Sequence, residues 1–189
     1  RYNLSKTHYK NGYGGCMKIP LISMLGLGLL LCTQPVTARD APCGPIDGVK
    51  QVLGSPGVFI GDMHGTVESP AFLSALACHS MKTGRPLVVA MEYDAKDQAV
   101  VEQFLITPDE NKAVEALTAT PHWTGNHDGR ASAAMRDALL EIRRLARGGN
   151  RVKLVAYDFG GATSAERDRK SAELIRQIRS NGNSKAFWI

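Results

Sequence analysis

Short apolar runs and helical apolar spacings alternate along this chain. Continuous apolar runs closed by glycine, proline or acidic residues are typical of strands buried on both faces, and they predict strands at 58–61, 87–91 and 152–157, with a fourth beginning at 187–189. Apolar residues three and four positions apart predict helices at 69–84, 94–105, 113–117 and 131–147, and another from 163 onwards. The alternation predicts an α/β fold, with a mostly parallel sheet and flanking helices in three layers.

Residues with known preferences for helix ends support these helices. Ser69 is a good N-cap and Pro70 suits the first helical position after it. Asp94 is placed to cap the second long helix. Thr163-x-x-Glu166 is a capping box, in which the two side chains satisfy each other's free backbone N–H groups.

The N-terminal part of the chain is expected to lie outside the folded domain. Residues 17–38 have the layout of a secretory signal peptide, with one lysine, an apolar run and small residues before Arg39. We therefore expect four segments: upstream non-native translated sequence at 1–16, the signal peptide, a linker at 39–56 and the α/β domain at 57–189. The last apolar run has no terminating signal, so the domain is expected to be truncated before its last strands.

The same segment determines where the protein acts. A chain with a cleaved signal peptide is secreted or periplasmic. The apolar run at 19–31 is shorter than the roughly 20 residues that span a bilayer. We expect contact with a membrane only through an uncleaved signal segment.

Removal of the signal segment changes the charge balance. The full chain has 23 lysines and arginines against 18 acidic residues, a formal charge of +5. Four of the basic residues precede Arg39 and no acidic residue does, so the remainder is close to neutral. It also has no basic stripe interleaved with aromatic residues, and nucleic acid is therefore not an expected partner.

Two of the four cysteines lie outside the expected mature protein. Cys16 and Cys32 are removed with the leader, which leaves Cys43 and Cys78. In an oxidising compartment these two can form a disulfide, and the alternative is a pair of free buried thiols.

Acidic residues follow each of the three predicted strands, and a histidine also follows the first. His64 and Glu68 come after the first strand with Asp62, Glu92 ends the second, and Asp158 ends the third. Parallel strands deliver their carboxyl ends to one edge of a sheet, where ligands bind. We therefore expect these side chains to converge in a single cleft.

A histidine among carboxylates is a candidate general base. In this interpretation His64 takes a proton from water, while Glu68 and Glu92 position that water. Alternatively, Asp62, His64 and Glu92 hold a divalent metal ion. Simpler roles also exist, since Asp158 can bond loop amides and Glu68 can favour the positive end of the following helix.

One set of motifs resembles the calcineurin-like metallophosphoesterases. These have an Asp-x-His, a Gly-Asp-x-x-Asp and a Gly-Asn-His-Asp/Glu in that order, and this chain has Asp62-Met63-His64, Asp94-Ala95-Lys96-Asp97 and Gly125-Asn126-His127-Asp128. Tyr93 stands where the family has the glycine of its second motif. The resemblance implies a dinuclear-metal phosphoesterase.

A second resemblance covers most of residues 57–178. His64-Gly65-Thr66-Val67-Glu68 and the strand that ends in Glu92 are similar to motifs of the superfamily that includes erythromycin-esterase-like hydrolases, Tiki-type metalloproteases and ChaN-type haem-uptake proteins. The similarity extends to Trp123, Asp128-Gly129-Arg130, Tyr157-Asp158 and Arg167-Asp168. The family's second Gly-x-x-His loop is not found in the sequence.

The second resemblance implies a hydrolase acting on a small-molecule or peptide substrate. His64, Glu68 and Glu92 are then catalytic, and Trp123, Arg130 and Asp158 contact the substrate. The alternative is a non-catalytic haem-binding protein of the ChaN type, in which His64, Tyr93 or a methionine ligates or flanks the iron. The chain has no Cys-x-x-Cys-His, so that haem is held non-covalently.

Overall fold

Three parallel strands form the sheet in the part of the chain that the computed structural model describes, residues 43–125, 128–160 and 163–189. They are β1 (Leu87–Asp94), β2 (Val152–Asp158) and β3 (Phe187–Trp188), in the spatial order β2-β1-β3. β1 and β2 pair from Leu87 and Val152 to Met91 and Ala156, and a register shift precedes the pairing of Asp94 with Asp158. The predicted α/β fold is confirmed.

Helices lie on both faces of this sheet. They are α1 (Val49–Leu53), α2 (Glu68–Met81), α3 (Gln98–Ile106), α4 (Glu110–Thr118), α5 (Pro121–Gly125), α6 (Ala133–Arg147) and α7 (Ser164–Ser180), and a 3-10 turn (Ala95–Asp97) leads into α3. Val89 and Met91 of β1 face the larger core, which contains residues of α2, α3 and α6. Val88 faces the opposite way, toward a smaller core that includes Ile175 of α7. The structure therefore has the three layers that the sequence predicts.

The predicted cap at Thr163 is confirmed, whereas Asp94 caps the 3-10 turn and not α3, whose N-cap is Asp97. Thr163 Oγ1 accepts a hydrogen bond from Glu166 N at 3.2 Å, and Asp94 accepts one from Lys96 N at 2.9 Å at the start of the 3-10 turn. Ser69 is not an N-cap, because α2 already begins at Glu68. Pro70 is compatible with this earlier start, since N–H groups of the first helical turn have no acceptor within the helix.

The predicted strand at 58–61 is wrong as a strand. Only Gly57 forms a bridge to Trp188, and Val58 N donates to Trp188 O at 2.8 Å. After Val58, the segment forms no backbone pairing with any of the described residues. Phe59 is consequently 94% exposed, while Val58 and Ile60 pack against the larger core.

A disulfide joins the start of the described chain to α2. Cys43 and Cys78 are bonded, with their Cα atoms 5.6 Å apart, which decides between the two states that the sequence left open. A second tie lies beside it, where His79 Nε2 and Gly44 O are 2.8 Å apart. The disulfide closes a loop of 35 residues. Such a loop is expected to stabilise the fold by about 4 kcal/mol, through the entropy of the unfolded chain.

Arg85 connects three segments that are far apart in the sequence. It precedes β1, and its guanidinium donates to the carbonyl oxygens of Leu53 at 3.2 Å, Ser55 at 2.9 Å and Ala186 at 3.0 Å. The same group lies over the ring of Phe187, 5.3 Å from its centroid. Arg85 thus fixes the segment before Gly57 and the start of β3 to the same end of the sheet.

The expected signal peptide at 17–38 lies outside the described residues, as do Cys16 and Cys32. Within the described ranges, no helix has the length and apolar character needed to cross a membrane.

Candidate functional site

His64 and Asp62 form a hydrogen-bonded pair in the turn before α2. His64 Nδ1 lies 2.8 Å from Asp62 Oδ2, and their side chains are 33% and 26% exposed. Nε2 has no hydrogen-bond partner among the described residues. A carboxylate on Nδ1 favours the tautomer that carries its proton there, which leaves Nε2 as the proton acceptor.

Glu92 and Asp158 are held by arginines at the carboxyl ends of β1 and β2. Arg167 of α7 donates to both Asp158 oxygens, at 2.6 and 2.8 Å, and its Nη2 also contacts Glu92 Oε1. Arg130 donates to the same Glu92 oxygen at 3.2 Å and forms an ion pair with Asp128 at 2.7 Å. The five residues form one network, which we call the arginine–carboxylate network.

The network shifts the ionisation of its members. Partial burial disfavours the charged form of Asp158, but hydrogen bonds from Arg167 and Gly160 outweigh it and lower the pKa of Asp158. Hydrogen bonds from Arg130 lower the pKa of the exposed Asp128 to about 2. Those to Asp158 and Glu92 raise the pKa of Arg167. These carboxylates are therefore charged at neutral pH.

Two glycines bring the His64 turn and the Arg130 turn together. Gly65 and Gly129 have φ angles of +83° and +96°. A Cβ atom at Gly129 would lie 2.2 Å from Gly65 N, a distance at which no side chain fits. The approach places the Asp62–His64 pair beside the arginine–carboxylate network.

A cavity of about 530 Å³ adjoins both groups. Asp62, His64, Glu92 and Arg130 line its polar side. Apolar side chains form most of the remaining wall, among them Ile60, Leu73, Met91, Met135, Tyr157 and Ile175. The site therefore combines a large apolar chamber with one charged rim, as is typical of ligand pockets.

The structure brings together only part of the predicted site. Glu68 does not line the cavity, and its carboxylate accepts a hydrogen bond from Val67 N at 3.1 Å at the start of α2. Asp158 reaches the site only through Arg167. Trp123 does not line the cavity either, but it packs edge to face against Tyr93, which does, with ring centroids 6.4 Å apart.

The candidate metal ligands are only partly assembled. Asp62 and His64 are in contact, whereas Glu92 Oε1 is already bonded to two arginines. Across residues 43–125, 128–160 and 163–189, no three histidine, cysteine or acidic side chains are grouped closely enough to hold a metal ion. Of the metallophosphoesterase-like motifs, Asp94 and Asp97 do not line the cavity, and His127 lies outside the described residues.

Arg167 and Tyr157 are site residues that the sequence did not single out individually. Arg167 lies close to the positive N-terminal end of α7, where an arginine is unfavourable unless carboxylates face it. The position of Arg167 in the sequence could therefore have indicated that carboxylates lie nearby. Tyr157 ends an apolar run and has no such signal, and burial raises its pKa.

Comparisons with protein-family models, curated proteins and solved structures find no match to this chain. Arguments about function therefore rest on the geometry of the site.

Proposed function

We propose that the cavity is a hydrolytic site in which His64 is the general base. The observation that carries the proposal is the 2.8 Å contact between His64 Nδ1 and Asp62 Oδ2 at the charged rim of a large cavity. The carboxylate orients the imidazole and stabilises the imidazolium that forms when Nε2 accepts a proton. A histidine with hydrogen bonds on both ring nitrogens could not accept a proton from water in this way.

Arg130 supplies the second function that hydrolysis needs. Its guanidinium lines the same cavity and carries a fixed positive charge, which stabilises the negative oxygen that develops when water adds to a carbonyl. Glu92 and Asp128 hold Arg130 from two sides. Glu92 is therefore a positioning residue in this proposal, and Glu68 has no part in it.

The proposed reaction is addition of water to an ester or amide carbonyl. Water loses a proton to His64 Nε2 as its oxygen bonds to the carbonyl carbon, and the carbonyl oxygen becomes negative beside Arg130. The tetrahedral intermediate then collapses with cleavage of the bond to the leaving group, which takes the proton from His64. The products are a carboxylic acid and an alcohol or amine.

Hydrolysis of p-nitrophenyl acetate, p-nitrophenyl octanoate and casein tests this proposal. We expect activity on at least one substrate, and loss of about 100-fold or more of kcat/KM in His64→Ala. His79→Ala and Glu68→Gln are matched controls that remove a histidine and an acid of α2 away from the cavity, and both should retain activity. Equal activity in His64→Ala, or none on any substrate, would contradict the proposal.

The positioning role of Glu92 has a separate readout. Glu92→Ala should lower kcat, because Arg130 loses one of its two anchors. Glu92→Gln should recover part of that loss, since the amide oxygen still accepts from Arg130. A direct structural role would leave both variants with equally reduced amounts of folded protein instead.

Haem binding is the second candidate function, and the apolar character of the chamber favours it. The chamber is within the size range of cofactor pockets, and His64 at its rim has a ring nitrogen without a partner among the described residues. In this case His64 would supply a nitrogen ligand to the iron and Arg130 would pair with a carboxylate of the haem, which would be held for transport and not for catalysis. Addition of haemin should then produce a Soret band that is lost in His64→Ala and retained in His79→Ala.

We also propose that the protein is exported. The Cys43–Cys78 disulfide supports this location, because such bonds persist mainly in oxidising compartments. Detection of the mature N-terminus near Arg39 in a periplasmic or culture fraction would test it, and a cytoplasmic protein with reduced Cys43 and Cys78 would contradict it.

A further inference from the structure

One side-chain amide lies along the outer edge of β2. The order of the sheet is β2-β1-β3, so β1 is the only neighbouring strand of β2 among the described residues. Gln98, the first residue of α3, lies along the other side of β2. Its Nε2 donates to Leu154 O at 3.1 Å, and its Oε1 accepts from Ala156 N at 2.8 Å.

These two contacts reproduce the hydrogen bonds of one residue in a parallel strand. Arg151 O accepts from Leu87 N at 2.8 Å, so the backbone groups of odd-numbered β2 residues face β1 and those of even-numbered residues face outward. A residue of a parallel neighbour donates to the C=O of one residue and accepts from the N–H two residues later. The carboxamide of Gln98 does both, with Leu154 and Ala156. It therefore takes the place of one residue of an added strand.

Glu102 fixes the orientation of this amide. It lies one turn further along α3, and its Oε1 accepts from Gln98 Nε2 at 2.9 Å. A carboxamide has two N–H donors, and here one is directed to Leu154 O and the other to Glu102. A reversed amide would bring its donors toward the N–H of Ala156. Glu102 thus selects the orientation in which the amide bonds to the edge.

The same edge groups are suited to pairing with a second copy of the chain. Strand edges that present unpaired N–H and C=O groups are templates for another strand. Antiparallel pairing of two β2 strands about Val155 would join Leu154 of each copy to Ala156 of the other, through the groups that Gln98 occupies. It would place Val155 opposite Val155 and Lys153 opposite Tyr157, with no like charges opposed. β2 is therefore self-complementary.

We propose that Gln98 is an edge guard, which prevents β2 from pairing with β2 of a second copy of this chain. Removal of its carboxamide leaves Leu154 O and Ala156 N open, and the antiparallel β2–β2 pair then forms. Both edge groups are bonded in the structure, so the proposal needs no vacant space. It lies on the side of β2 away from β1 and does not depend on the proposed hydrolysis.

Sedimentation velocity of Gln98→Ala tests the edge guard. With rising concentration, we expect the variant to shift from the mass of the native chain toward twice that mass. At low concentration, amide hydrogen exchange at Ala156 should be about fivefold faster or more, as expected for the loss of one hydrogen bond. Gln103→Ala is the matched control, since Gln103 lies on the same helix with an exposed side chain. It should keep the mass and the exchange rate of the native chain.

Variants of Glu102 test the orientation of the amide without a change at Gln98. Glu102→Lys places an ammonium group beside the amide, which attracts Oε1 and turns the N–H groups toward Ala156 N. Exchange at Ala156 should again be about fivefold faster or more. Glu102→Gln keeps an acceptor oxygen and should stay within about twofold of the native chain. Circular dichroism confirms that each variant is folded, and the Glu102 variants carry the test if Gln98→Ala is not.

Cross-linking identifies the partner strand. In the antiparallel pair, Lys153 of one copy and Tyr157 of the other form a non-hydrogen-bonded pair, with Cα atoms about 4.5 Å apart and within the range of a disulfide. A mixture of Gln98→Ala/Lys153→Cys and Gln98→Ala/Tyr157→Cys should therefore form a disulfide-linked dimer in air. The same two cysteine variants with Gln98 intact should not.

Four results would overturn the proposal. They are a Gln98→Ala variant that keeps the mass of the native chain, equal association of Gln103→Ala, unchanged exchange at Ala156 in Gln98→Ala and Glu102→Lys, and association without the cross-link between positions 153 and 157. None of these readouts measures hydrolysis. Failure of the edge guard and failure of the hydrolytic proposal are therefore distinguishable.

Discussion

The two sides of the cavity rim use the same kinds of side chain in opposite ways. In the arginine–carboxylate network, Glu92 and Asp158 each accept hydrogen bonds from arginine, and Arg167 donates to both. In the Asp62–His64 pair, one ring nitrogen is engaged and the other has no partner among the described residues. On the first side, arginines occupy Glu92 Oε1 and both Asp158 oxygens, whereas the second side keeps one ring nitrogen that can accept a proton.

This difference assigns a structural role to the carboxylates of the arginine–carboxylate network and a chemical role to the Asp62–His64 pair. A carboxylate whose lone pairs are occupied by arginine is fixed in its charged state and is a poor base. A histidine that is oriented on one nitrogen remains able to exchange a proton at the other. Acidic residues at strand ends thus do not share one role merely because they share one edge of the sheet.

The largest expected effect on stability comes from a substitution that pushes the His64 turn and the Arg130 turn apart. Gly129→Ala places a Cβ atom 2.2 Å from Gly65 N, at a φ angle of +96°, so one of the two turns must move. We expect a loss of about 3 kcal/mol in the free energy of unfolding, measured by urea denaturation.

Gly182→Ala is the matched control for that variant. Gly182 has a similar φ angle of +89°, but a Cβ atom there meets nothing within 4 Å. It should cost about 1 kcal/mol, the penalty of the left-handed conformation alone. Equal losses in the two variants would show that contact between the turns is unimportant.

The second expected effect compares the stability of a variant in the arginine–carboxylate network with that of a variant of His64. Arg167→Ala leaves the partly buried Glu92 and Asp158 with unpaired charge, and it should lower the free energy of unfolding by about 1–3 kcal/mol. His64→Ala should change it by less than about 0.5 kcal/mol while removing the proposed activity. Thermal and urea unfolding measure both.

Arg169→Ala provides the control on the same helix. Among the described residues, Arg169 pairs only with Glu173, one turn away, and both side chains are well exposed. Loss of such a pair costs about 0.3–0.5 kcal/mol. An Arg167→Ala variant that is no less stable than Arg169→Ala would remove the scaffold role.

The smallest expected effect is on the acid side of the pH–stability curve. The pKa of Asp158 is lower in the folded protein than its ordinary value. Its contribution is therefore fully present above the unfolded-state pKa of about 3.9, and it is lost as the pH falls below that value. Asp158→Asn should flatten the curve there by at most about 1.4 kcal/mol per pH unit.

Urea denaturation between pH 2 and 7 measures that slope for the two proteins. The lowered pKa of Asp128, about 2, adds a slope in the same acid range, but Asp128 is present in both proteins and its contribution cancels in the difference between them. Parallel curves for the native chain and Asp158→Asn would contradict the assigned pKa direction.

The sequence predicted the parts of this molecule that local physical rules determine. Apolar runs located β1 and β2, the capping box at Thr163 marked the start of α7, and the apolar spacing of α6 predicted a helix close to its observed bounds. The disulfide was one of two states that the sequence allowed. For the strands and helices the relevant contacts are close in sequence or depend only on burial, whereas the disulfide, between residues 35 apart, could be given only as one of two alternatives.

The rest of the site depends on contacts between distant residues. Glu92 was expected to handle water or metal, but Arg167, which follows it by 75 residues, occupies its oxygen. Trp123 was expected at the substrate, but Tyr93 and His122 provide a packing surface for it elsewhere. The run at 58–61 reads as a strand from composition, yet strands need partners, and composition does not show whether a partner is present.

The hydrogen bonds of Arg85 are expected to form in a definite order during folding. Its carbonyl acceptors at Leu53 and Ser55 lie about 30 residues before it, whereas Ala186 lies 101 residues after it. During synthesis the arginine can meet its early partners at once, but it must wait for the late one. The start of β3 is therefore the last of the three segments to join, because contacts of such long sequence separation form slowly.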